Sequence, residues 1–124
     1  MKIGIVGFGV VGKAVAHTLQ QVYEIKCFDK FSNLDSFESI ANCDFVFIAV
    51  PTPFDVSKKT VDDSAILETL EKLNSCFFSG IVILKSTVPP GFTDSYIKNF
   101  NLNIVFNPEF LRESNTPNED FKNQ

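Results

Sequence analysis

The spacing of apolar positions changes several times along the chain, and each change marks an element. KIGIVG (2–7) is a short β-branched run closed by glycine, which predicts a strand. From Gly9 the period lengthens. Val11, Ala14, Val15, Thr18, Leu19 and Val22 fall at i, i+3, i+4, i+7, i+8 and i+11, one face of a helix. EIKCF (24–28) predicts a second strand, and Asp35 with Glu38 reads as a capping box for a short helix reaching about Asn42. DFVFIAV (44–50) is apolar without interruption, the pattern of a strand buried on both faces. PTPFDVSKKTVDD reads as a loop, and a helix follows over 63–77 with Ile66, Leu67, Leu70 and Leu73 inward. GIVILKS (80–86) predicts a fourth strand, PPGF a break, 93–100 a short helix and NIVF (103–106) a fifth strand. Strands alternating with helices imply parallel βαβ units. The expected architecture is a doubly wound α/β domain with five parallel strands in the order 3-2-1-4-5.

Composition narrows the picture. The 124 residues make one domain of common size, and 44% hydrophobic residues with fourteen Phe supply a core. A net charge of −4 lacks the basic face that nucleic-acid binding requires. No apolar run reaches the ~18 residues of a membrane span, and the first residues do not read as a signal peptide. Cys27, Cys43 and Cys76 have no metal-like spacing and read as buried, reduced thiols, which fits a cytoplasmic protein with no metal site.

The order of elements also places the loops. In an open parallel sheet, ligands sit beyond the carboxyl ends of the strands, at the topological switch point. Every unusual loop here follows a strand: GFGVVG the first, Asp29 the second, PTP the third, STVPPG the fourth and NPEFLRE the fifth. All five are expected to line one crevice.

Gly7-Phe8-Gly9-Val10-Val11-Gly12 is G-x-G-x-x-G between a strand and a helix. Gly7 permits the tight turn, Gly9 admits a pyrophosphate, and Gly12 lets helix and strand approach. The helix N-terminus then offers free N–H groups to the phosphates. Asp29 lies twenty-two residues after Gly7, at the end of strand two. A carboxylate there accepts hydrogen bonds from ribose hydroxyls and repels a 2′-phosphate, favouring NAD over NADP. Lys30, beside it, softens that preference. In NPEFLRE, Asn107 suits an N-cap and Pro108 the first helical position, so Glu109 and Glu113 fall one turn apart on one face. Two carboxylates aimed into a crevice suit proton handling; a capped helix whose glutamates face water is the plainer alternative.

VPTP (50–53), LKSTVPPGF (84–92) and NPEFLRE (107–113), in this order behind the glycine loop, resemble the UDP-glucose dehydrogenase family, which includes GDP-mannose and UDP-N-acetylmannosamine dehydrogenases. The resemblance spans the whole chain, which looks like the N-terminal, Rossmann-type NAD-binding domain of such an enzyme. It implies oxidation of a nucleotide-sugar C6 alcohol to the acid with two NAD reduced, UDP-glucose being the expected substrate. A cysteine of the other domain would hold the second stage as a thioester. By motif, Val50, Pro51, Thr52 and Pro53 would line the cofactor with Gly7, Phe8, Gly9, Val10, Val11, Gly12, Asp29 and Lys30. Ser86, Thr87 and Val88 would contact NAD, Thr87 also holding a catalytic water. Glu109 would be the acid–base carboxylate, Phe110 and Leu111 would present backbone to the sugar, and Glu113 would sit near nicotinamide and substrate.

Some features depart from the family or fall outside it. Val10 stands where tyrosine is usual, Ser114 where glycine is common, and the stretch from Glu113 to Asp120 looks one residue long. The resemblance implies that the sixth strand, the central helix and the sugar-nucleotide domain, with its nucleophilic cysteine, lie beyond residues 1–124. The chain alone is therefore expected to bind NAD without turnover, with a homodimer as a candidate assembly. The alternatives are a stand-alone or vestigial dinucleotide-binding module, and a dehydrogenase of β-hydroxy acids, which would need neither STVPPG nor NPEFLRE. His17, off the apolar stripe, and Lys58-Lys59, in a polar loop, read as solvated. Lys85 divides evenly between a weak cofactor role and simple exposure.

Overall fold

The computed structural model describes residues 1–108. In chain order its elements are β1 (Lys2–Val6), α1 (Val10–Leu19), β2 (Glu24–Phe28), α2 (Phe37–Ala41), β3 (Phe45–Ile48), β4 (Phe54–Asp55), β5 (Thr60–Val61), α3 (Ser64–Ser75), β6 (Ile81–Leu84), α4 (Phe92–Asn99) and β7 (Asn103–Phe106). The five apolar runs become one parallel sheet, and β4 with β5 makes a small antiparallel hairpin inside the segment expected to be loop. Asp55 shapes that hairpin's turn. Its Oδ1 accepts from the backbone N–H of Ser57 and Lys58 at 3.0 and 3.2 Å and from the Ser57 hydroxyl at 2.7 Å.

The strand order corrects the expected one. The sheet runs β2-β1-β3-β6-β7, so the third strand lies between the first and the fourth and not outside the second. The cause lies in α2. It is only five residues long, and it crosses over β1 at Gly4, where a Cβ would meet Ile40 and Cys43 side-chain atoms at 3.2–3.3 Å. The chain thus reverses direction after β2, and α2 lands on the face opposite α1, joining α3 and α4. The most apolar run, FVFI, gains two strand neighbours. It is fully covered on one face only, since Val46 and Ile48 are buried while Phe45 and Phe47 are half-buried.

The two faces differ in depth. Under α2, α3 and α4, Ile40, Val46, Ile48, Ile66, Leu70, Leu73, Val82 and Leu84 form the main core, each at 0 or 1% exposure. The α1 face has a smaller cluster around Ile5, Val15 and Ala16. Val22, expected on the helical stripe, lies past the end of α1 and is exposed.

Local chemistry adjusts other boundaries. Asp35 is not the helix cap; Ser36 is, its hydroxyl accepting from Ser39 N–H at 3.3 Å. Asp35 instead brackets the open edge of β2. Its backbone N–H donates to the Cys27 carbonyl at 2.9 Å and its Oδ2 accepts from Cys27 N–H at 2.8 Å. Filling those edge groups blunts pairing with another chain. Tyr96 on α4 donates its hydroxyl to Asp63, the residue before α3, tying the two helices together. Burial, and then Asp63, raises the Tyr96 hydroxyl above the ordinary tyrosine range.

All three cysteines are free thiols, but they are not all buried. Cys43 is, Cys27 is half-buried with its thiol pushed up to about 11 by burial and by Asp35, and Cys76 is exposed at the end of α3. His17 and Lys58-Lys59 are exposed as expected. Among the described residues no helix is long and apolar enough to cross a membrane.

Candidate functional site

Reversal of the chain after β2 makes β1 and β3 the switch point, and a crevice of about 570 Å³ opens at their carboxyl ends. Its walls come from the glycine loop, the loops after β2, β3 and β6, and the facing sides of α2 and α3.

The three glycines act for three separable reasons. Gly7 has φ +93°, and a Cβ there would lie 2.5 Å from the Ala49 carbonyl oxygen. A Cβ on Gly12 would lie 2.0 Å from the Gly7 carbonyl oxygen, so α1 meets the end of β1 at backbone contact. Gly9 differs: a Cβ would meet nothing within 4 Å, and the residue lines the crevice. Protein packing therefore does not require glycine at position 9. Gly9 is also the N-cap of α1, whose first turn holds no acidic residue and receives no side-chain cap. Bare N–H groups beside open space fit a pyrophosphate.

Asp29 turns out to be structural as well. Its Oδ2 accepts from Phe8 N–H at 2.8 Å and its Oδ1 from Phe31 N–H at 2.9 Å, fastening the glycine loop to the loop after β2. Each oxygen keeps a second lone pair, so the carboxylate can still accept from a ribose.

Across the crevice, the loops after β3 and β6 are clasped together. Thr52 donates its hydroxyl to the Thr87 carbonyl at 2.8 Å, and Ser86 donates to the Val50 carbonyl at 2.7 Å. Val50, Pro51, Thr52, Ser86 and Thr87 line the crevice with Phe8, Val10, Val11 and Lys30. Ser86 is buried and serves the clasp, whereas Thr87 is exposed. Three expected lining residues are placed elsewhere, Gly12 at the contact of α1 with β1 being the first. Val88 packs into the main core, and Pro53 opens the hairpin, its carbonyl accepting from Asp62 N–H at 2.7 Å. Of the two readings of Lys85, simple exposure is ruled out. It is 1% exposed at the crevice wall, with Nζ donating to Asn107 Oδ1 at 2.7 Å. Glu109, Phe110, Leu111 and Glu113 lie outside the described residues.

Sequence reasoning missed one wall. Phe37 of α2 and Glu68, Thr69 and Lys72 of α3 face the crevice near Asp29 and Lys30. Glu68 receives Lys30 Nζ at 3.3 Å and Lys72 Nζ at 3.6 Å. The Lys30 hydrogen bond, and then its charge, holds the Glu68 carboxyl below the usual carboxylate range, with Lys72 adding to the effect. Lys72 Nζ also lies over the Phe28 and Phe37 rings, 5.5 and 5.2 Å from their centroids. The i, i+4 spacing of Glu68 and Lys72 was a visible signal of an ion pair, but not of where α3 would point. Among the described residues no cluster of His, Cys, Asp or Glu could hold a metal ion.

Comparison with known proteins agrees with this geometry. The model of the UDP-glucose/GDP-mannose dehydrogenase family, NAD-binding domain, matches residues 18–124. UDP-glucose 6-dehydrogenase of Streptococcus pneumoniae is 30% identical over 148 aligned residues, taking in 92% of this chain and 37% of that protein. The Campylobacter jejuni enzyme of the same name is 43% identical over 77 residues, 61% of this chain and 20% of that one. The chain thus spans little more than a third of the pneumococcal relative's length. That alignment is longer than the chain itself, so the relative carries residues within the matched stretch that have no counterpart here. The crystal structure of GDP-mannose dehydrogenase from Pseudomonas aeruginosa superposes with a TM-score of 0.81 over 98% of this chain and 38% of that one; at 22% identity this is likeness of fold. Matches across most of its length mean that this chain belongs to the UDP-glucose/GDP-mannose dehydrogenase family, as its NAD-binding domain.

Proposed function

We propose that this domain serves the oxidation of a nucleotide-sugar C6 alcohol, the substrate being UDP-glucose as in the names of its relatives from S. pneumoniae and C. jejuni. The observation that carries the cofactor half of the reading is Gly9, an uncapped helix N-terminus facing open space at the switch point. Gly7 and Gly9 with the first turn of α1 hold the pyrophosphate, and Gly12 lets that turn sit close to β1. Asp29 accepts from the adenosine ribose, and Val50 to Thr52 with Ser86 and Thr87 line the far end. Bound NAD supplies the hydride acceptor. The chain's part is to hold it still, keep one side dry and present Thr87 towards water. Glu109 takes the proton work, Phe110 and Leu111 meet the sugar through backbone, and Glu113 stands near the nicotinamide. These four assignments rest on the NPEFLRE motif.

Calorimetric titration of the 124-residue chain with NAD+ tests the cofactor site. Saturable binding is expected in the parent and its loss in folded Gly9→Val, because the new side chain fills the space of the pyrophosphate; retained affinity in that variant would sink the loop assignment. For the ribose role the informative change is Asp29→Asn, which keeps an acceptor oxygen for one of the two loop N–H groups that Asp29→Ala would release together. NAD+ should bind at least about tenfold more tightly than NADP+, about 1.4 kcal/mol, with the gap narrowed in Asp29→Asn.

Turnover is a separate question. Hydride transfer needs the sugar carbon held about 3–3.5 Å from the acceptor. The 124-residue chain is therefore expected to bind NAD+ without steady reduction of it by UDP-glucose. NADH absorbance reads the outcome. Steady turnover lost on Glu109→Gln would assign the chemistry to these residues alone.

A further inference from the structure

Lys30 stands beside Asp29 at the end of β2, where a cation would welcome the 2′-phosphate of NADP. By position alone it opposes the discrimination that Asp29 supplies. Its ammonium, however, is drawn across the crevice to Glu68 Oε2 at 3.3 Å. The other oxygen, Oε1, is met by Lys72 at 3.6 Å, one turn further along α3. Lys72 is in turn fixed over the Phe28 and Phe37 rings, which meet edge to face at 5.3 Å. All of these side chains line the crevice.

The Lys30–Glu68 pair is solvent-exposed, with side-chain exposures of 64% and 44%. Such a pair adds little to folding stability. Its consequence is for the charge that a ligand meets. A phosphate entering near Asp29 finds Lys30 already neutralised and a second carboxylate behind it.

We propose that Glu68 is a second determinant of cofactor choice, which enforces NAD over NADP by withholding Lys30 from the 2′ position. Glu68 works through Lys30, and Lys72 with its two aromatic rings holds the Glu68 carboxylate at the adenosine end of the crevice. The inference rests on the NAD-binding reading of that crevice.

The test measures dissociation constants of NAD+ and NADP+ by calorimetry for the parent chain, Glu68→Gln, and Glu68→Gln with Lys30→Met. In Glu68→Gln the ratio of the NADP+ to the NAD+ constant should fall by about threefold to fivefold, the scale of one exposed charge contact. Adding Lys30→Met should restore most of the ratio, and in the parent background Lys30→Met alone should change it little. Raising the salt concentration should shrink the effect of Glu68→Gln, because the freed contact is screened. An unchanged ratio in Glu68→Gln, or a fall that survives Lys30→Met, would overturn the proposal. If the parent binds no NAD+, the reading of the crevice falls and this inference with it. If the parent binds NAD+ normally and only the ratio ignores Glu68, this inference alone falls. Glu68→Ala, read alongside by circular dichroism, separates a charge effect from a folding defect.

Discussion

The two faces of the sheet are built on different principles. One carries α2, α3 and α4 over a broad apolar core, and the other carries α1 over Ile5, Val15 and Ala16. Among the described residues, α1 is the single helix on its face. What it lacks in buried area it recovers in closeness, because Gly12 lets its backbone touch that of Gly7. The site hangs from this thinner side, since α1 begins at Gly9 and points its first turn into the crevice. Stability is thus concentrated on one face, while the glycine loop belongs to the other and the crevice is walled from both.

Gly12→Val breaks that contrast most directly. The new Cβ would have to displace a backbone carbonyl, which cannot rotate away as a side chain can. A loss of at least about 3 kcal/mol in urea melts is expected, with NAD+ affinity abolished together with it. A variant that melts like the parent would remove the close-approach argument.

A pair of truncations sharpens the contrast. Leu73→Ala cuts into the main core and should cost about 3 kcal/mol while leaving NAD+ affinity of the folded protein little changed. Val15→Ala, under α1, should cost about 2 kcal/mol yet weaken NAD+ binding, because it lets the helix that carries the loop shift. Equal effects on affinity from both would mean that the faces are not functionally distinct.

Tyr96→Phe probes the three-helix face through its polar tie. Loss of the hydroxyl donated to Asp63 should cost about 1.5–3 kcal/mol at neutral pH. The folded protein holds Tyr96 neutral beyond the ordinary range, whereas the unfolded chain ionises near the ordinary tyrosine value of about 10. The stabilisation is therefore complete below pH 10 and is lost as pH rises above it. Melting temperature followed from neutral to alkaline pH should show the parent losing its advantage over Tyr96→Phe in that window. Parallel curves would contradict the assignment.

The smallest expected change is a gain. Phe77 adopts φ 57° just past α3, where the Phe78 N–H donates back to the Leu73 carbonyl at 3.1 Å. This is the left-handed close of a helix that glycine prefers, and the ring is 89% exposed. Phe77→Gly should raise stability by about 1 kcal/mol, a small rise in melting temperature. A drop would mean that the ring has contacts worth more than the strain.

Much of this molecule was determined by the sequence itself. Strand and helix periods placed the five strands of the parallel sheet and the four helices to within a few residues, because burial of one face imposes its period locally, while the two-residue strands β4 and β5 read as loop. The glycine loop was legible at Gly7, Gly9 and Gly12: a left-handed turn demands the first and the close approach of α1 the third, while the second leaves open space for a ligand. The tertiary structure alone decided the rest. Strand order turned on which face a five-residue α2 would cover, and period says nothing of that. Asp35 read as a helix cap and went to a strand edge, because an open pair of backbone groups at Cys27 lay within reach only once the chain had turned. Lys85, divided between a weak cofactor role and simple exposure, became buried at the crevice wall, and Glu68 and Lys72, to which the sequence reading assigned nothing, became part of that wall. Those outcomes depend on contacts between residues far apart in the chain, such as Lys30 with Glu68 and Lys85 with Asn107, which no local pattern encodes.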